Sequence, residues 1–125
     1  MKSKLLLAVF FVTVLSVTSC YYDKEEVLYP NTKDCDTTKI SFQSTIFPII
    51  NSSCNLSGCH DATTQASGYN FTTYAGIKAQ IEVPRFLGSI KHESSYSSMP
   101  KGGGKLSACN ILKIEQWKKN GSPNN

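Results

Sequence analysis

The hydrophobic pattern begins with a step. Lys2 and Lys4 precede an almost wholly apolar run, Leu5 to Val17, which closes on the small residues of Val17-Thr18-Ser19-Cys20. That order reads as a secretory signal, shorter than the roughly 20 apolar residues a spanning helix needs. Residues 20–34 are mostly polar and read as a tether, with Tyr29-Pro30-Asn31 near its end. Beyond it, Phe42, Ile46, Ile49 and Ile50 share one face at helical spacing, and Pro48 kinks that helix or marks its start. Asn51 to Cys59, rich in Ser, Asn and Gly, reads as loop. A threonine cap and a short helix fit Thr72 to Gln80; Pro84 breaks it, and Arg85 to Ile90 fits one more turn or short helix. Ser94 to Gly104 is a Ser-, Gly- and Pro-rich loop. Ser107 is suited to cap a helix over Ala108–Asn120, with Ile111, Leu112, Ile114 and Trp117 apolar; Gly121 follows its end and Pro123 prevents continuation. Strand patterns are scarce. The expected class is all-α, with two good terminal helices, short helices between them and long loops. The expected organisation is a signal at 1–19, a tether at 20–34 and one domain at 35–125.

Composition changes the picture in two places. Losing residues 1–19 removes two lysines and no acid, so the net charge falls from +4 to +2. That is too mild to indicate nucleic acid, and no basic stripe interleaved with aromatics is present. The five cysteines, at 20, 35, 54, 59 and 109, matter more. An exported chain meets oxidising conditions, where free thiols are unexpected. Val17-Thr18-Ser19-Cys20 resembles a bacterial lipobox, whose cysteine carries acyl chains and holds the protein on a membrane without a spanning helix. The resemblance implies the cell envelope of a two-membrane bacterium, on the periplasmic side or the outer-membrane surface; the acidic Asp23-Lys24-Glu25-Glu26 is a weak pointer to that surface. Giving Cys20 to lipid and Cys54 and Cys59 to one short motif leaves Cys35 and Cys109 for a disulfide worth roughly 2–4 kcal/mol. Four cysteines allow three pairings, and a bridge between Cys54 and Cys59 is the main competitor.

The short motif is Cys54-Asn55-Leu56-Ser57-Gly58-Cys59-His60. Covalent haem attachment needs two thiols for the two vinyl groups and a histidine directly after the second cysteine, commonly as Cys-x-x-Cys-His. Here two extra residues stand between the thiols, and Ser57 and Gly58 can take up the turn. A disulfide with a surface histidine is the plain alternative. A zinc site is a poorer one, because adjacent Cys59 and His60 make awkward tetrahedral ligands and no second cysteine pair follows. Met99, 39 residues after His60, sits in the long loop before Pro100, which restricts Met99 to extended geometry. A thioether opposite an imidazole would raise an iron's reduction potential. His92 is the rival sixth ligand. Arg85 and Lys101 are candidates to neutralise haem propionates. Ile46, Ile50, Tyr74, Ile77, Phe86, Leu87, Ile111 and Trp117 are candidates to line the haem. Lys91, Lys101, Lys105, Lys118 and Lys119 could form a basic rim for an acidic redox partner.

Together, Cys54…Cys59-His60, Gly68-Tyr69-Asn70-Phe71-Thr72-Thr73-Tyr74, Ser98-Met99-Pro100-Lys101-Gly102-Gly103 and Lys105-Leu106-Ser107 before the Trp117 helix resemble the haem-binding domains of cytochrome c lipoproteins. The likeness spans roughly Cys35 to Asn125. It implies a cytochrome c-like fold with terminal helices crossing beside one covalent haem c, His60 as proximal ligand and Met99 as distal ligand. Relatives of similar length also carry a cysteine pair where Cys35 and Cys109 stand. The expected function is electron transfer between redox protein partners by a lipid-anchored monomer. No Ser/His/Asp set, paired carboxylates or phosphate-binding glycine loop suggests an enzyme. The rival functions are a haem-free, disulfide-stapled surface lipoprotein that binds a partner, and a haem enzyme or sensor with a vacant site.

Overall fold

The computed structural model describes residues 34–125. The signal at 1–19, Cys20 and all but the last residue of the tether lie outside the described residues. Within them the chain is helical and contains no strand. A π-helical turn, Phe42–Ile46, runs directly into α1, Phe47–Ser53. Then come a 3-10 turn, Ala66–Gly68, and the helices α2, Tyr74–Ile81, α3, Pro84–Ile90, and α4, Ala108–Lys119.

The ends of these elements follow from local chemistry. Ser41 Oγ accepts from Ser44 N at 3.1 Å, Thr73 Oγ1 from Gly76 N at 3.1 Å, and Ser107 Oγ from Asn110 N at 3.2 Å. Each hydroxyl satisfies one of the amide groups a helix start leaves without a partner. Pro48 and Pro84 stand in the first turns of α1 and α3, where a missing N–H is no loss. Pro48 therefore marks the start of α1. α1 continues to Ser53, further into the Ser/Asn-rich segment than the sequence predicts. Ile50 is fully buried, and burying it stabilises a turn that Asn51, Ser52 and Ser53 alone disfavour.

The first and last helical segments pack together, since the Phe42–Ile46 turn lies against α4. Phe42 sits between Trp117, 5.6 Å away between ring centroids, and Tyr74, at 5.0 Å in an edge contact. Ile46, Ile50, Ile77, Ile81 and Ile114 complete a closed apolar centre. The polar edges of its aromatics are used as well. Trp117 Nε1 donates to Pro123 O at 2.9 Å and Tyr74 Oη to Ser122 O at 2.8 Å. Asn125 then accepts from the backbone N–H groups of Phe42 and Gln43, both at 2.9 Å. Near the other side of the motif, α2 approaches the loop before it so closely that a Cβ on Gly76 would lie 1.8 Å from Asn70 O. Only glycine permits that contact.

Cys35 and Cys109 are joined by a disulfide with Cα atoms 5.5 Å apart and a sequence separation of 74. It ties the start of the described chain to the first turn of α4. Cys54 and Cys59 are free thiols. No helix among the described residues is long and apolar enough to cross a membrane.

Candidate functional site

Cys54 caps the end of α1, its N–H donating to Ile50 O at 2.8 Å. The chain then makes the expanded turn and returns: Cys59 N donates to Leu56 O at 2.9 Å, and His60 N to Cys54 O at 3.1 Å. The two additional residues are absorbed in this loop while Cys54 and His60 stay joined through their backbones. His60 O accepts from Phe71 N at 2.9 Å, and the imidazole packs on Phe71, 4.6 Å between centroids, and on Tyr69, at 5.9 Å. The ring is thus fixed by backbone bonds on two sides and by aromatic faces.

Asp61 fastens the same loop. Its carboxylate accepts from Gly58 N at 3.0 Å, Thr63 N at 2.8 Å and Thr64 N at 2.9 Å. The amides of Thr64 and Thr63 hold its pKa down at about 2, because hydrogen bonds to the ionised form favour it. Sequence reasoning missed this residue. Its signal was present: an Asp followed two and three residues later by Thr is a turn-forming pattern.

Met99 is held from the backbone. Its N–H donates to Ser89 O at 3.0 Å, and its carbonyl accepts from His92 Nε2 at 3.0 Å. The Met99-Pro100 peptide is cis. The rest of that loop is seated on α3 through Tyr96, whose ring occupies the space a Cβ on Gly88 would need.

These two loops enclose a cavity of about 800 Å³ with α3. Its lining includes Cys54, Cys59, His60, Met99, Arg85 and Lys101, the residues expected from sequence to attach the group, bind its iron or face its propionates. Phe71, Phe86 and Ile90 contribute apolar wall, and Leu56, about half exposed, stands at the loop edge. Arg85 and Lys101 are the cationic side chains of the lining, and no Asp or Glu belongs to it. Arg85 Nη1 donates to Tyr69 Oη at 3.4 Å. His92 is not part of the lining. Of the eight hydrophobic residues expected around a haem, this cavity takes Phe86. Ile46, Ile50, Ile77 and Trp117 are wholly enclosed in the core, and Ile111 is nearly so. Periodicity identifies a buried face without saying whether the neighbour is a helix or a ligand.

Burial, and then the neighbouring Cys59, push the Cys54 thiol up to about 11. His60 Nδ1 is buried without a hydrogen-bond partner. An unsatisfied buried polar atom costs about 1–3 kcal/mol and calls for a partner. Among the described residues, no group of three or more His, Cys, Asp or Glu side chains is placed to hold a bare metal ion. The predicted rim lysines are used differently from one another: Lys91 pairs with Glu115, Lys101 lines the cavity, and Lys118 and Lys119 stand in the last turn of α4.

Compared with known proteins, the chain matches no family model, no curated protein and no solved structure.

Proposed function

We propose that this protein is an electron carrier, a monohaem c-type cytochrome with a cytochrome c-like fold, tethered to a bacterial envelope membrane by lipid on Cys20. The observation that carries the reading is one cavity of about 800 Å³ that gathers Cys54, Cys59, His60 and Met99 from two distant loops. That volume falls within the range of about 300–1,000 Å³ typical of cofactor sites. The residues fit the group. Two unbridged thiols flank the turn before His60, the imidazole has an unpartnered nitrogen, and two cations with no acid suit paired carboxylates. Cys54 and Cys59 would each add a thiol across a vinyl group, the sulfur bonding carbon and the hydrogen passing to the neighbouring carbon. His60 and Met99 would hold the iron, and Arg85 and Lys101 would offset the propionates. Bound there, haem would supply one-electron chemistry between a donor and an acceptor protein. If His60 and Met99 both bound the iron, no position on it would remain for a substrate, which accords with a carrier.

The test is production in a host with a haem c maturation system, followed by denaturation. Haem that stays with the chain supports the reading; complete loss of haem overturns it. Met99→Ala is expected to abolish the weak iron–sulfur absorption of the ferric form.

The Cys35–Cys109 disulfide also suits a second reading, a haem-free stapled surface lipoprotein acting as a binding module. It requires a colourless protein with Cys54 and Cys59 oxidised to a disulfide, which mass spectrometry distinguishes by two lost hydrogens against an added haem.

A further inference from the structure

α3 ends in a helix stop that ordinarily takes glycine. Lys91 is its C-cap, Glu93 N donates to Gly88 O at 2.9 Å, and His92 N donates to Ser89 O at 3.2 Å. This pair of bonds requires the residue after the cap to be left-handed, and glycine is the usual choice because it has no Cβ. Here the residue is His92, with φ of 58°. Side-chained residues are uncommon in that region and are kept there where the surroundings impose it, often beside functional sites.

The side chain does something glycine could not. A carbonyl can only accept, so His92 Nε2 carries the hydrogen in its 3.0 Å bond to Met99 O. Ser89 O accepts from both His92 N, at 3.2 Å, and Met99 N, at 3.0 Å. Ser89, His92 and Met99 thus form a closed ring of three hydrogen bonds. Both backbone polar groups of Met99 are spent in it, while Met99 itself lines the cavity. Pro100 restricts the backbone of Met99 itself, but Ser97 and Ser98 before it and the glycines 102–104 soon after give the loop little other restraint.

We infer that His92 is a positioning residue, a clamp that holds Met99 against the end of α3 so that its sulfur stays aimed into the cavity. This rests on the electron-carrier reading, and it gives His92 a role other than that of iron ligand. Without the clamp the loop is freer to swing, and an outside ligand displaces the sulfur more easily.

The experiment compares the full-length haem-loaded wild type with His92→Gly and His92→Gln. Glycine removes the clamp and relieves the backbone at the same time, so the fold should be no less stable while the iron–sulfur bond weakens. Exogenous imidazole should bind ferric His92→Gly roughly two- to twelvefold more tightly than wild type, the equivalent of about 0.5–1.5 kcal/mol for one net hydrogen bond. His92→Gln, whose amide can donate to the same carbonyl, should recover part of that difference. Unchanged imidazole affinity in His92→Gly overturns the clamp and leaves the electron-carrier reading intact. A wild type without iron–sulfur absorption, in which His92→Gly opens the iron to carbon monoxide, also overturns it by making His92 the ligand. Absence of covalent haem in the wild type, seen before any variant is made, defeats the underlying reading instead.

Discussion

The two sides of the described fold are built on different terms. On one side Phe42, Ile46, Ile50, Ile77, Ile114 and Trp117, drawn from the Phe42–Ile46 turn, α1, α2 and α4, lie buried in one apolar cluster. On the other side the loop from Cys54 to Phe71 and the loop around Met99 leave a cavity of about 800 Å³, although Phe71, Phe86 and Ile90 give it apolar wall. The closed side draws its order from burial. The open side draws it from hydrogen bonds and from single contacts: the Asp61 carboxylate on three amides, the ring joining Ser89, His92 and Met99, and Tyr96 lying over Gly88. A protein of this size has a modest core, so leaving such a space is a sizeable concession unless something fills it.

That contrast can be broken most forcefully at Trp117. Trp117→Ala should lower the unfolding free energy by about 3–5 kcal/mol, because a fully buried indole leaves a void its helical neighbours cannot close. Urea unfolding measures it; a loss under 1 kcal/mol would mean the closed side is not the source of stability. Next comes Cys54. With its thiol raised from 9.0 to about 11, the haem-free chain keeps this thiol's contribution in full below pH 9.0 and loses it as pH rises from there through about 11. The unfolded chain gives up the proton first, so the loss amounts to about 2–3 kcal/mol. Cys54→Ala should lack that slope, and so, on the electron-carrier reading, should haem-loaded protein, in which the sulfur would be a thioether. An identical slope in all three would assign it to other groups.

Gly88→Ala sharpens the contrast from the open side. The new Cβ would stand 2.1 Å from the Tyr96 ring, so the ring and its loop must move, at about 1–3 kcal/mol. The expected sign of that movement is a change at Met99, which on the electron-carrier reading would weaken the iron–sulfur absorption of the haem-loaded protein. The smallest effect is expected at Arg85, which is exposed. Arg85→Ala should leave stability within about 0.5 kcal/mol, since its one bond to Tyr69 is long and solvent-facing. A large loss there would show that the open side relies on this cation before any cofactor is bound.

Much of the local structure was legible because its causes are local. Thr73 and Ser107 cap helices with their own hydroxyls, Pro48 and Pro84 sit where a proline starts a helix, and Gly121, with φ of 84°, ends α4. The reach of α1 to Ser53 was not legible, since it depends on burying Ile50 against residues far along the chain. The motif Cys54 to His60 and the loop residue Met99 could be named from chemistry and spacing. Their sharing one cavity could not, because 39 residues separate His60 from Met99 and only packing brings the two loops together. Asp61 and His92 were underread for the same kind of reason: a carboxylate or imidazole in a polar loop looks like solvated surface until its partners are placed around it.

What the sequence by itself determined, then, is the helical class, the caps and breaks, and the identity of the chemically able side chains, all of which follow from propensities and contacts within a few residues. Only the tertiary structure decided which apolar residues face one another and which face a space. It also decided that Cys35 bridges to Cys109 while Cys54 and Cys59 stay free, and that His92 is spent on the Met99 carbonyl. Those outcomes depend on distances between parts of the chain remote in sequence, and such distances are set by how the core closes.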